Sequence, residues 1–504
     1  VSMSFPFKTG RGTLPTMRRM PTRLPSSCPV HASAPSRPAS PAPQDAWPPG
    51  PAPGLTGWGL LRHMSRDLLG ALAGWKQAHG DIVHLAIWPE HQVIVSDPEL
   101  ARELLVARHA DLVRWERAMH VFSGLQGRSV LIVEGEAWHG KRTALQPAFA
   151  PRPVQSLVPT IVAACDKALA QWPTRAPAWP VESALTGLAM DIIMQTLFSS
   201  GIGDDARLAE HAVHAALVAA DKEFYWPASW PDWMPWKRRK RNAVAALRAL
   251  VERHLLARLR LPQDAWPDDL LTRLLGLHRQ DATAWPLQAV RDECMTAFLA
   301  GHETSAATLA WWAWCMAANP AAQATARAEV ERVLQGRAPG ADTLPGLTYL
   351  TQTVKETLRL YPTAPVLISR RSKRALTLGP WTFPERTLFM LPVQLMHHDA
   401  RWFDEPLAFR PERFAAGAPD FPRGAYLPFG AGPRVCLGQH LAMAELTVVA
   451  AMVLQRFSLS LPPDAEQLDT VLHITLRPAQ PMRLGIAPAA ATAPAAAARP
   501  TVRG

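Results

Sequence analysis

Cysteine is scarce in this sequence, and the few present do not pair. Cys28, Cys165, Cys294, Cys315 and Cys436 are the five among 504 residues. Their number is odd and no two stand at a Cys-x-x-Cys spacing. A disulfide framework and a zinc site are both disfavoured by that pattern. It suits a reducing compartment, so the expectation is a cytoplasmic protein. Spanning apolar runs are lacking as well. The stretch from Thr304 through Trp311, Trp312 and Trp314 carries no charge, but Asn319-Pro320 interrupts it after fifteen residues. A membrane-crossing helix needs about 20, so a helix buried in a protein core is expected and membrane association is not. The first fifty residues contain no apolar core of a secretory signal. Their eleven prolines would break the amphipathic helix of a transit peptide. Acidic residues are also in the minority, 42 against 53 Lys and Arg, for a formal net charge of +11. Six Lys or Arg against Asp45 alone put +5 of that charge in residues 1–50. A basic balance admits acidic protein partners, nucleic acid or anionic membrane and does not choose among them.

The remaining chain has ample apolar material, 48%, for one large core. Residues 1–50 read as a disordered, basic, Pro-rich extension, 51–487 as a single domain, and 488–504 as a disordered Ala/Pro tail. Alternation at Ile82, His84 and Ala86, then Val93 and Val95, predicts a short hairpin. From about Asp97 to Leu360 the pattern is mostly helical. Trp-Pro pairs at Trp172, Trp179, Trp226, Trp230, Trp266 and Trp285 mark helix ends and turns, because a residue before proline avoids helical backbone. Short strands follow between Val366 and Val393, then a loop-rich stretch from His397 to Arg434, then a helix over about Leu437 to Arg456. The fold class is mainly α with small β-sheets.

The most informative segment is Phe429-Gly-Ala-Gly-Pro-Arg-Val-Cys-Leu-Gly438. Gly430 and Gly432 let the backbone turn sharply and approach a bulky flat ligand, and Pro433 stiffens the loop. Cys436 is expected at a helix start, with Leu437, Leu441, Ala444 and Val448 on one apolar face. Dipole and N–H groups there favour the thiolate, and Arg434 adds positive charge. One axial bond to haem iron suits this thiolate better than zinc. An inert buried cysteine would leave the two glycines, the proline and the arginine unexplained.

This ten-residue string resembles the haem-binding loop of the cytochrome P450 family. The resemblance implies haem b (iron protoporphyrin IX) with Cys436 as the axial ligand of its iron. It implies Phe429 packed by the sulfur, Arg434 paired with a haem propionate, and Gly430 and Gly438 shaping the loop. An axial thiolate pushes electron density onto iron and promotes O–O cleavage. Three other segments fall in the family's order. Ala300-Gly301-His302-Glu303-Thr304 lies in the long apolar stretch, where a mid-helix glycine costs about 1 kcal/mol and allows close approach of a ligand plane. By resemblance it is the oxygen-binding helix, with Thr304 donating a hydrogen bond to dioxygen and Glu303 relaying protons. Glu356-Thr-Leu-Arg359 puts opposite charges on one helix face. With Arg413 of Phe409-Arg-Pro-Glu-Arg413 it resembles the family's structural triad, which locks the cysteine loop. Trp138-His-Gly-Lys-Arg142 matches a propionate contact through Trp138 and Arg142. The implied fold is a triangular, mostly helical prism.

The resemblance, spanning about Pro51 to Ala487, implies a monooxygenase inserting one atom of O2 into a hydrophobic small molecule. Electrons would come from a separate ferredoxin or flavodoxin with its reductase, or from a flavoprotein reductase. Two alternatives stand beside it: a peroxide-using or rearranging haem-thiolate enzyme, and a haem sensor or carrier without turnover. Pocket contributors are expected around His120 to Leu125, at Ala300 and Thr304, and at Val366-Leu367. Lys141 and Arg423 are expected to face the electron donor. Lys237-Arg-Arg-Lys-Arg241, preceded by Trp226, Trp230, Trp233 and Trp236, reads as a solvated helix start, with no role for nucleic acid. His397-His398-Asp399 reads as structural or exposed.

Overall fold

The computed structural model describes residues 47–200, 206–225, 230–462 and 468–489. Proline punctuates it as the sequence suggests. The Trp-Pro pairs at Trp172, Trp179, Trp230, Trp266 and Trp285 all fall between helices, and the pair at Trp226 lies outside the described residues. Helices α1 (Trp58–Arg66) and α2 (Leu68–His79) lead into the antiparallel hairpin β1 (Ile82–Ile87) and β2 (Glu90–Val95). The hairpin is where it was expected, but β1 buries the alternate face: Val83, Leu85 and Ile87 are inside, while Ile82, His84 and Ala86 are half-buried. Strands β3 (Leu112–Arg114), β4 (Leu367–Ser372) and β5 (Leu388–Leu391) extend this hairpin into one sheet, in the order β1–β2–β5–β4–β3.

The helices that frame the site include α3 (Glu116–Gln126), α4 (Gly135–Leu145), α5 (Val158–Leu169), α6 (Val181–Phe198), α7 (Ala206–Phe224), α8 (Arg238–Arg260), α9 (Leu287–Ala318), α10 (Thr348–Leu360) and α11 (Gln439–Arg456). A further hairpin, β6 (Thr470–His473) and β7 (Thr475–Pro478), follows α11. At 32 residues, α9 is about 48 Å long. It has no polar stripe because two cores enclose it. Its first half puts Val290, Cys294, Met295, Phe298 and Leu299 into a core shared with α3, α6, α7 and α8. Its second half puts Leu309, Trp311, Trp312 and Met316 into a core shared with α5, α10 and α11. Trp311 and Trp312 are fully buried, and their indole N–H groups donate to the Leu476 carbonyl and the Thr353 hydroxyl, 3.0 Å each. The segment Ala300–Thr304 sits at the join between the two cores.

Three expectations about boundaries and spans change. Residues 47–50 belong to the packed structure: Trp47 stacks on His84 and His91, and the Pro49 carbonyl accepts the His84 N–H. At the other end Pro488 pairs with Phe457 in a sheet. Residues 1–46 and 490–504 lie outside the described residues. Finally, α6 is long and apolar enough by composition to cross a membrane, although Glu182 and Asp191 break its apolar run. Most of it is buried, packed chiefly against α9.

Candidate active site

Cys436 does not begin a helix. It precedes α11 by three residues, with Gly438 at the N-cap. The loop is closed by its own backbone, the Cys436 N–H donating to the Phe429 carbonyl at 2.9 Å. Gly430 and Gly432 both have φ of +72°. At Gly432 a Cβ would also stand 2.0 Å from the Leu105 carbonyl oxygen, so only glycine fits. The ring of Phe429 packs on the core around α9 and α11. The Cys436 side chain is accessible although it lies deep in the protein, as a side chain facing an internal pocket does. Burial pushes its thiol up in pKa, while the Gly438 N–H and the Arg142 guanidinium pull it down. Arg142 itself is fastened to the loop, donating to the Val435 carbonyl at 2.9 Å. The other described cysteines, Cys165, Cys294 and Cys315, are buried, and desolvation pushes their thiols up. They read as inert core residues.

Ala300 is exposed in the middle of α9, whereas Phe298, Leu299, His302 and Glu303 around it are buried. Thr304, one turn on, is half-buried, and its hydroxyl donates to the Ala300 carbonyl at 2.8 Å. Gly301 serves a different neighbour from the one expected. A Cβ there would meet Ile193 Cδ1 at 2.6 Å, so the close approach it permits is that of α6, not of a ligand plane. Glu303 points into the protein and is held by Arg477 and Thr475 of β7, at 2.7–2.8 Å.

A cluster of arginines flanks the loop. The Arg434 guanidinium lies 3.9 Å from the Trp138 ring centroid, a cation–π contact. It pairs with Glu134 and donates to the Val133 carbonyl. Arg114 shares the same Glu134 carboxylate, Nε to Oε1 2.6 Å. Burial and the neighbouring Arg114 and Arg370 depress the Arg434 guanidinium to about 9, and burial takes Arg370 to about 10. Three guanidiniums around one carboxylate leave surplus buried positive charge, a site that favours anions. Sequence reading found Arg434 but not Arg114 or Arg370, which lie in strands β3 and β4 far away in the chain. Their pairing across that sheet, Arg114 opposite Arg370, carries no local motif.

The three members of the expected triad do meet. Glu356 and Arg359 are both fully buried and joined by two hydrogen bonds of 2.8 Å. Arg413 Nε lies 3.2 Å from Glu356 Oε1, and the Arg410 N–H donates to the same oxygen at 3.0 Å. Arg359 spends its other N–H groups on the carbonyls of His397, Pro406 and Ala408. His397 extends the linkage: it is buried, and its Nε2 accepts the Leu427 N–H at 2.8 Å. The Leu427 carbonyl in turn accepts the Gly430 N–H. Burial, with His398 and Arg359 beside it, holds the imidazole down to about 3, hence neutral. His398 Nε2 donates to the Leu360 carbonyl at 2.8 Å, and Asp399 pairs with Lys76 and Arg401. This stretch is structural and largely buried.

Two charged features behave differently from expectation. Lys141 is not available to a partner. Its Nζ sits 2.7 Å from the buried Glu293 and over the Trp285 ring. Arg423 is exposed. In the basic run, Lys237 and Lys240 are buried and both pair with Glu223, with Asp232 close by. The run is therefore half a folded ion cluster rather than a solvated helix start. Distant acids decide this, and no local pattern reports them.

Among the described residues no three His, Cys, Asp or Glu side chains converge as a metal cage. A single accessible thiol beside surplus buried positive charge fits a flat metal cofactor that brings its own nitrogen ligands and its own carboxylates. The comparisons agree. Residues 48–484 match the model of the cytochrome P450 family. Similar proteins include cyclooctat-9-en-7-ol 5-monooxygenase of Streptomyces melanosporofaciens, 32% identical over 86% of this chain and 92% of that protein. They also include 11-oxo-beta-amyrin 30-oxidase of Glycyrrhiza uralensis, 30% identical over 77% of each, and cytokinin hydroxylase of Arabidopsis thaliana, 28% identical over 84% and 83%. The chain belongs to the cytochrome P450 family. It is a monooxygenase, and its cofactor is haem.

Proposed function

We propose that this enzyme inserts one atom of O2 into a hydrophobic organic compound, with haem b held through Cys436 and electrons from a separate ferredoxin or flavodoxin. The observation that carries the reading is the accessible face formed by Ala300 and Thr304 in the otherwise largely buried middle of α9, together with the accessible Cys436. When bound, the haem supplies the iron at which dioxygen is activated. Trp138, Arg142, Arg434, Arg114 and Arg370 would bind and orient its carboxylates. Phe122, Leu125 and Phe298, which pack in one apolar cluster, would keep water out and favour an apolar substrate. The names of the relatives, oxidising cyclooctat-9-en-7-ol and 11-oxo-beta-amyrin, support a hydrophobic substrate. A binding-induced Soret shift across lipids, terpenoids and polyketides tests this. Shifts only with polar compounds would overturn it.

Thr304 holds a proton at Oγ, now given to the Ala300 carbonyl. Released from that bond, the hydroxyl can pass a proton into the pocket, which an apolar site otherwise lacks. Thr304→Ala is expected to bind substrate normally but to form less product per nicotinamide consumed, the balance leaving as peroxide. Wild-type coupling in this variant would remove Thr304 from the mechanism.

For electron delivery Arg423 remains the exposed docking candidate and Lys141 does not. Haem reduction by an acidic donor should slow as salt rises, because exposed charges are screened over roughly 8–10 Å at physiological ionic strength. Arg423→Glu should slow it further at low salt with unchanged substrate-binding spectra. Stopped-flow rates indifferent to both changes would exclude this face.

A further inference from the structure

The hairpin β6–β7 is tied at its base to α9. The Leu476 carbonyl accepts the Trp311 indole N–H at 3.0 Å, and the Thr475 hydroxyl donates to Glu303 at 2.7 Å. Its turn is strained. Ile474 has φ of +71°, in the left-handed region that a β-branched residue rarely enters. Strain of this kind collects at ligand clamps. Ile474 packs against the apolar cluster that holds Phe122, Leu125 and Phe298, and His473 beside it stands opposite Asp221 of α7. Asp221 and Phe224 share one face of α7, at i and i+3. The Phe224 ring lies against Trp115 and Phe122, at centroid distances of 6.3 and 5.6 Å. The carboxylate therefore borders the same apolar cluster. Asp221 Oδ2 and His473 Nδ1 are 3.5 Å apart, beyond the 2.7–3.2 Å or so of a made N–H···O bond. Nδ1 is buried and has no hydrogen-bond partner among the described residues. Asp221 is half-buried, and desolvation pushes its carboxyl up in pKa against the pull of His473 and the Ile474 N–H. A donor and an acceptor face each other across a gap.

We propose that Asp221 and His473 form a clasp for a hydroxyl group, and that the substrate is an apolar compound carrying an alcohol. The proposal rests on the reading of the enzyme as one for a hydrophobic compound. A hydroxyl oxygen about 2.8 Å from both atoms accepts the Nδ1–H of His473 and donates its own proton to Asp221. A ketone only accepts and an ammonium only donates. A hydrocarbon does neither and leaves buried polar atoms unpaired, the costly arrangement. Because the clasp spans α7 and the hairpin, it holds the carbon skeleton against Trp115, Phe122 and Phe224 and fixes which carbon faces Ala300 and Thr304. Asp221 and His473 are then specificity-determining residues with no part in the oxygen chemistry. The reaction that supplies the substrate must leave a hydroxyl on a carbon skeleton, as a hydroxylation or a hydration does.

The test is a Soret-shift titration of the holoenzyme with matched hydrocarbon, alcohol, ketone and amine on adamantane, decalin and androstane skeletons. At least one alcohol should bind more tightly than its own hydrocarbon, ketone and amine by on the order of tenfold or more, the worth of a hydrogen bond to a charged group. Asp221→Ala and His473→Phe should each erase that preference and leave the Kd of the hydrocarbon little changed. The double variant should lose no more than either single one, since both bonds are made to one oxygen. Oxidation of the preferred alcohol should also scatter over more positions in the variants, which a merely structural role would not cause. Hydrocarbon and alcohol bound equally in every set, a preference for ketone or amine, or an alcohol preference that survives both substitutions overturns the proposal and leaves the hydrophobic-substrate reading intact. The absence of any shift across the three skeletons also counts against the proposal, and shifts only with polar compounds overturn the hydrophobic reading itself. Should Asp221→Ala fail to fold, His473→Phe decides, because that side chain is half-buried at the end of a hairpin strand.

Discussion

Replacing Glu356 by alanine should leave little or no haem-loaded protein. Arg359 is fully buried, and its guanidinium is fixed by two bonds to Glu356 and by three backbone carbonyls. Removing the carboxylate strands a desolvated cation, at roughly 3–5 kcal/mol, a large part of the 5–15 kcal/mol or so by which a domain is stable. The damage also has an address. Glu356 accepts the Arg410 N–H and pairs with Arg413, while Arg359 holds the carbonyl of His397, whose ring holds Leu427. Leu427 is bonded to Gly430, inside the thiol loop. Loss of the pair should therefore loosen Cys436 as well as the fold. Arg359→Ala should do the same. Arg413→Ala should do less, since it makes one contact of 3.2 Å to the carboxylate. Haem per protein and the melting temperature measure this. Normal values in both Glu356→Ala and Arg359→Ala would show the cluster to be decoration.

Cys436→His should abolish monooxygenase turnover. A neutral imidazole in place of the thiolate removes the anionic ligand whose electron push favours O–O cleavage. Around the loop nothing can replace it, because the other described cysteines are buried in the cores. The variant should still fold, since Cys436 contributes only its backbone N–H to closing the loop, donated to Phe429, and a histidine keeps that donor. Turnover should fall below detection in protein that retains near-normal helical content. Persistent substrate oxidation by such protein would refute Cys436 as the ligand.

What the sequence revealed, and what it concealed, divides along the range of the interactions. The thiol loop was legible because its requirement is local, positive φ at Gly430 and Gly432, but the helix read as starting at the thiol begins three residues later. The Glu356–Arg359 pair was legible at i and i+3 on one helix. The hairpin was found, but not its buried face, because polar His84 and apolar Val83 alternate with too few residues to fix the phase. Partners that come together only through the fold were not legible. Arg114 and Arg370 meet across a sheet, and Lys141 finds Glu293 from a helix 152 positions away. Lys237 and Lys240 fold onto Glu223, and Arg477 reaches Glu303 from a hairpin. Gly301 was read as facing a ligand, whereas Ile193 of α6 takes that space. Spacing shows that a glycine makes room, not for which neighbour.

The reduced protein under carbon monoxide supplies the most direct measurement of the central claim. Thiolate ligation through Cys436 predicts a strongly red-shifted Soret band in the wild type, and its loss in Cys436→His even where haem is retained. A wild-type band at the position of imidazole ligation, or a red-shifted band that survives the substitution, would contradict the account.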